Sequence, residues 1–158
     1  MIIFINGSIN SGKSTISTLL KKRIPKTAHI EIDALRALID WVPLEESIPI
    51  NLQNTAALIN NFTENKFNVI VSSPLDKEDY GNIFSNIKGK HDIFFFTLNP
   101  KLEVALSNRG GRELTEWETE RIKYHYKQGI NKPGFGFVVD NSKQTPEETA
   151  EEIMNHIQ

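Results

Sequence analysis

The segment Gly7-Ser8-Ile9-Asn10-Ser11-Gly12-Lys13-Ser14-Thr15 constrains this chain more than any other stretch of it. It fits G-x-x-x-x-G-K-[ST], a pattern whose glycines let backbone N–H groups curl around a phosphate. Lys13 brings positive charge to the outer phosphates of a nucleoside triphosphate, and the Ser14 hydroxyl is placed to ligate Mg²⁺. The flanks agree with that reading. Ile2-Ile3-Phe4-Ile5 is an apolar run that reads as a buried strand, and Ser14 to Arg23 reads as a helix with Ile16, Leu19 and Leu20 inward. A strand–loop–helix order aims the positive end of the helix dipole at the bound phosphates.

The rest of the chain alternates strands and helices. The pattern predicts strands at 28–32, 67–71, 92–98 and 136–139. It predicts helices at 34–41, 51–66, 77–88, 100–108 and 115–128, and a last one opening at Thr145-Pro146, with Thr145 as cap. Pro43 and Pro49 are expected to bracket a loop over a cleft. Several strands are continuous apolar runs, Phe94-Phe95-Phe96 among them, as a parallel sheet covered on both faces requires.

With 158 residues, the chain is expected to form one domain over 1–158. The net charge of −2, from 18 basic and 20 acidic residues, gives no basic excess for nucleic acid. The absence of cysteine removes disulfides, a thiol nucleophile and cysteine-based zinc sites, and fits a reducing cytoplasm. The N-terminal apolar run is too short for a signal peptide or a membrane span.

Three further features carry chemistry. Asp33 follows the second predicted strand, at the edge where open α/β sheets bind ligands. Its carboxylate can take a proton from a substrate hydroxyl or orient it; it can equally cap the helix after it. Arg36, one turn on, suits an anionic group of a substrate. The second feature is Asn108-Arg109-Gly110-Gly111-Arg112-Glu113, where arginines flank a glycine pair. That composition suits a lid, at about 109–116, which brings Arg109 and Arg112 to a γ-phosphate; a plain helix–helix turn is the alternative. The third is Ser72-Ser73-Pro74 at the end of a strand, where many phosphate-loop proteins carry a metal-ordering carboxylate. No carboxylate ends that strand, and no Asn-Lys-x-Asp guanine signature is present, which argues against a switch GTPase or motor ATPase. Glu31 is expected to face a neighbouring element or solvent. His29, His91, His125 and His156 show no metal-ligand spacing and read as structural or surface residues. Ser73 and Trp41 are expected beside Asp33 and Arg36 in a substrate pocket, whose wall Trp117 could also join; packing is the plainer role for Trp41 and for Trp117.

On Gly7 to Thr15, Ile32-Asp33-Ala34-Leu35-Arg36, Arg109–Arg112 and Val139-Asp140-Asn141-Ser142, the chain resembles the small P-loop kinases. Among them it resembles the chloramphenicol phosphotransferase, shikimate kinase and adenylylsulfate kinase families. The resemblance implies an α/β fold of three layers, with a five-stranded parallel sheet in order 2-3-1-4-5 and an arginine-bearing lid. It implies ATP and Mg²⁺ as cofactors, adenine between the lid and the 140–144 turn, and Asp33 on the acceptor hydroxyl. The activity expected is transfer of the γ-phosphate of ATP to a hydroxyl of a small metabolite or antibiotic. A toxin-like kinase of a nucleotide sugar or macromolecule, or an ATP-binding regulator without turnover, are the alternatives. The acceptor, the choice of ATP over GTP, the second metal ligand and the oligomeric state are not written in the sequence.

Overall fold

Ile2, Ile3, Phe4 and Ile5 are all buried, so β1 (Ile2–Gly7) has no solvent face. In the computed structural model, which describes residues 1–108 and 113–157, this strand is the centre of the sheet. Parallel neighbours flank it: β3 (Asn68–Ser72) on one side and β4 (Ile93–Leu98) on the other. β2 (Thr27–Glu31) pairs outside β3, and β5 (Phe137–Val139) outside β4. The five strands run in order β2-β3-β1-β4-β5, the expected order.

Alternate residues of β1 feed two cores. Ile2 and Phe4 join Leu52, Ala56 and Ile59 of α3 (Leu44–Glu64) and Ile83 of α4 (Lys77–Ser85). Ile3 and Ile5 join Ile16 and Leu20 of α1 (Lys13–Arg23) and Ala150 and Ile153 of α7 (Pro146–Ile157). Helices therefore cover both faces, and each fully buried Ile or Phe adds about 1.5–3 kcal/mol relative to exposure. Thr145 caps α7 as expected, its hydroxyl accepting from the Glu148 N–H at 3.2 Å while the Glu148 carboxylate accepts from the Thr145 N–H at 2.8 Å. Thr115 and Glu118 repeat that arrangement at the start of α6 (Glu116–Gln128).

Three expectations are corrected. The 43–49 loop does not exist: Pro43 is the N-cap of α3, and Pro49 lies inside the helix. The Glu46 and Ser47 N–H groups already bond the Pro43 carbonyl at 3.1 and 3.0 Å, so the first turn closes before Pro49 can break it. Glu45 and Glu46 in that turn complement the helix dipole. The helix after β2 is shorter and earlier than expected, α2 (Ile32–Arg36), and Asp33 lies in its first turn rather than capping it. The helix expected at 100–108 is one turn, α5 (Leu102–Ala105).

Candidate active site

Parallel strands bring all five C-terminal ends to one edge of the sheet, and the chain's order reverses beside β1, where such folds bind ligands. The loop after β1 is shaped by backbone that only glycine tolerates at two points. At Gly7, φ is 145° and a Cβ would fall 2.6 Å from Ser11 Oγ and 2.7 Å from the Leu98 carbonyl. Gly12, at φ 100°, turns the chain into α1. Side chains from distant segments then hold the loop. The Asn10 carboxamide donates to the carbonyls of Ala105 and Ser107 at 2.8 and 2.9 Å. Asn141 donates to the Ser11 carbonyl at 2.9 Å. Beneath the loop, buried Asn6 donates to Thr97 Oγ1 (3.1 Å) and the Ile130 carbonyl (2.9 Å) and accepts from the Leu75 N–H (2.8 Å).

Lys13 is partly buried, and its Nζ donates to the Ser8 carbonyl at 2.7 Å. Burial pulls its pKa down to about 8, against the opposing pull of Asp33 and Glu31. The Ser14 hydroxyl donates to Glu31 Oε1 at 2.6 Å. Glu31 ends β2 and faces the neighbouring α1, so the carboxylate missing from β3 stands on the next strand over; a place in the site is what the sequence expectation lacks. Its signal was the acidic pair Glu31-x-Asp33 at a strand end. Ser14 and Glu31 together offer hard oxygen donors on one side of the loop. That suits Mg²⁺, which takes one or two protein oxygens and keeps waters and phosphate oxygens for the rest.

A cavity of about 770 Å³ opens over the loop. Asn10, Lys13, Ser14, Asp33, Arg36 and Ser73 all line it, so these expected site residues meet in one place, and Glu31, which was not among them, lines it too. One wall comes from α3, through Ser47, Ile48 and Asn51. The facing wall is one stripe of α6: Trp117, Arg121, Tyr124, His125 and Gln128. Arg121 also lies over the Tyr124 ring, 4.7 Å from its centroid. Asp76, which caps α4 by accepting from the Asp79 N–H at 2.8 Å, and Asp79 complete the far end. Burial, together with the charges of Asp76 and Glu78, pushes Asp79 up to about 6.

Trp41, expected in the substrate pocket, stays out: it is 84% exposed and does not line the cavity. The helix that was to carry it inward ends at Arg36. Trp117 stands on the cavity wall, the alternative to packing that its position allowed. Thr15 is exposed, one residue beyond Ser14 in α1. Arg109 and Arg112, with the first half of the expected lid, lie outside the described residues, and Glu116 at the other end of that stretch already opens α6. His125, expected to be structural or at the surface, is buried, and its ring reaches the phosphate loop: its Nδ1 and the Ser8 hydroxyl share a 3.1 Å hydrogen bond.

Comparison with known proteins agrees with this geometry. The fold is similar to that of a sugar kinase from Janibacter sp. HTCC2649, with a TM-score of 0.73 and 18% identity over 99% of this chain and 93% of that one. A tunicamycin resistance protein of Deinococcus radiodurans gives a TM-score of 0.66 and 23% identity over 99% and 94%. The APS kinase of Mycobacterium tuberculosis, solved with AMPPNP and APS, gives 0.66 and 16% over 99% and 96%. At these identities the likeness establishes a shared P-loop kinase fold. No curated protein sequence matches the chain. The profile of one family covers it from residue 1 to residue 158, and by that match the chain belongs to the chloramphenicol phosphotransferase-like proteins.

Proposed function

We propose that this protein transfers the γ-phosphoryl group of ATP to a hydroxyl of a small-molecule acceptor. The observation that carries the reading is the meeting of Lys13, the Ser14–Glu31 pair and Asp33 in one cavity at the C-terminal edge of the sheet. Its volume of about 770 Å³ falls in the range of small-molecule sites, roughly 300–1,000 Å³.

In this reading, backbone N–H groups of residues 7–14 cradle the phosphates, and Lys13 leaves the Ser8 carbonyl to meet the outer ones. Ser14 and Glu31 hold Mg²⁺, which when bound neutralises charge on the phosphate oxygens. Asp33 accepts the proton of the acceptor hydroxyl as its oxygen bonds to the γ-phosphorus and the bond to the β–γ bridging oxygen breaks, releasing ADP. Asp33 is exposed and keeps company with Arg36, which orients the acceptor. Arg121, Arg109 and Arg112 supply charge to the transferring group. Little covalent chemistry falls to the protein; positioning and electrostatics do the catalysis.

The test is transfer of label from γ-labelled ATP·Mg²⁺ to a pooled library of hydroxyl-bearing metabolites and antibiotics, by wild type and by Asp33→Asn. A labelled product formed by wild type, and at least about 100-fold more slowly by the variant, supports the assignment. ATP binding with no labelled product in any pool would sink it.

A further inference from the structure

Burial singles out His125. Most cavity-facing residues of α6 are at least partly open to solvent, Trp117 being 64% exposed and Tyr124 46%, but His125 is 2% exposed. A buried imidazole needs a polar partner, and so does Ser8, whose side chain is 0% exposed. Each is the other's partner, at 3.1 Å, across 117 positions of sequence.

Ser8 is more than a turn residue. Its carbonyl accepts the Lys13 ammonium at 2.7 Å and the Ser11 N–H at 3.3 Å. The orientation of that one peptide unit therefore sets where Lys13 rests and how tightly the loop curls. Asn10 ties the loop to the end of α5, and Asn141 ties it to the turn before α7. We propose that His125 is the third tether, a positioning residue that fixes Ser8, and through Ser8 the resting place of Lys13 and the curl of the phosphate loop, from α6. This links the cavity wall that carries Trp117, Arg121 and Tyr124 to the cradle for the nucleotide's phosphates.

The ring's charge state agrees. Burial, with Arg121 and Lys13 nearby, pulls the His125 pKa down to about 4. A neutral ring carries a single N–H and leaves its other nitrogen able to accept. A charged ring would set a second cation beside Lys13. The inference rests on the phosphate loop being the nucleotide site and needs no acceptor.

The test is the dissociation constant of a fluorescent ATP analogue with Mg²⁺, measured without acceptor, for wild type, S8A, H125A, S8A/H125A, H125N and H125Q. The S8A and H125A changes each weaken binding about tenfold, the size of one lost buried hydrogen bond. The double variant is no weaker than the worse single one, because both remove one link. H125N sets a polar atom where Nδ1 stood and recovers binding to within about threefold, whereas H125Q, which mimics Nε2, does not. If H125A does not fold, S8A, H125N and H125Q still decide the question. In ¹⁵N spectra of the histidine rings, S8A shifts Nδ1 of His125, which a packing role would leave in place. Losses that multiply in the double variant, or equal recovery by H125N and H125Q, overturn the proposal, as does unchanged binding in H125A. The proposal stands if ATP binding follows this pattern while labelled transfer is absent; in that event the phosphotransferase reading is the one that falls.

Discussion

Glu31 ends β2, Asp33 lies two residues on in the first turn of α2, and they have separate work. Glu31 takes the Ser14 hydroxyl; Asp33 faces the open cavity. Removing the charge of Glu31 while keeping its shape, as in Glu31→Gln, loosens the group expected to order the metal. The Mg²⁺ concentration for half-maximal transfer should rise about 10- to 100-fold, with a smaller change in the acceptor KM. A titration of activity against Mg²⁺ checks this, and an unchanged midpoint would place Glu31 outside the metal's surroundings. Lys13 gives the site its pH dependence. Its folded pKa is about 8 against an ordinary 10.5, so in the nucleotide-free protein it loses charge as pH rises through 8. We expect kcat/KM for ATP to fall above pH 8. Asp33 and Glu31 both hold that pKa up, so the Glu31→Gln profile should fall at lower pH. Stability moves the other way. Between about 8 and 10.5 the unfolded chain binds more protons at this residue than the folded one, so its contribution to stability rises with pH. Melting and kinetic profiles that fell together would refute the assignment to Lys13.

The long helix α3 shows what a sequence conceals at the level of elements. Pro49 reads as a breaker because it lacks an N–H and its ring crowds the preceding turn. Here it leaves the Glu45 carbonyl without its usual donor, yet the helix continues, because Leu52, Ala56 and Ile59 are buried against the sheet and over-determine it. Pro49→Ala restores that hydrogen bond. The gain, up to about 3 kcal/mol in a helix interior, is offset by about 1 kcal/mol from the freer unfolded chain. The variant should melt several degrees higher; a lower melting temperature would mean that the proline shapes a bend the cavity wall needs. The strands and α1 were legible because their signals are local: runs of Ile, Val and Phe, and a glycine-rich turn feeding a helix. The start of α3 was not, since a tertiary contact outvoted a local rule. The site divides in the same way. Gly7 to Ser14 is one contiguous pattern and can be read from the string. The partnership of Glu31 with Ser14 needs β2 folded beside the loop. That of His125 with Ser8 needs α6, more than a hundred residues later, and no periodicity marks it.

At the scale of the molecule, the sheet order is what assembles the site. The loop follows β1, Glu31 and Asp33 come from the β2–α2 junction, Ser73 follows β3, and Arg121 and His125 come from α6 after β4. A nucleotide held by the first of these and shielded by the last bridges segments that are neighbours only in the folded state, so it binds the native chain and not the unfolded one. Mass action then gives about 2.7 kcal/mol of added stability at a ligand concentration 100 times Kd. For a chain of this size that is a rise in melting temperature of roughly 5–10 °C. We expect ATP with Mg²⁺ to produce such a shift in wild type, to produce much less in Lys13→Ala, and to leave unfolding a single transition, since Asn10 and Asn141 tie the loop to segments after β4 and β5 while Asn6 beneath it and Ser14 at its end bond Leu75 after β3 and Glu31 of β2. A shift of equal size in both proteins would mean that the nucleotide is held somewhere other than this loop. A loop that melted ahead of the sheet would mean that Asn6, Asn10 and Asn141 do not bind it to the rest of the fold.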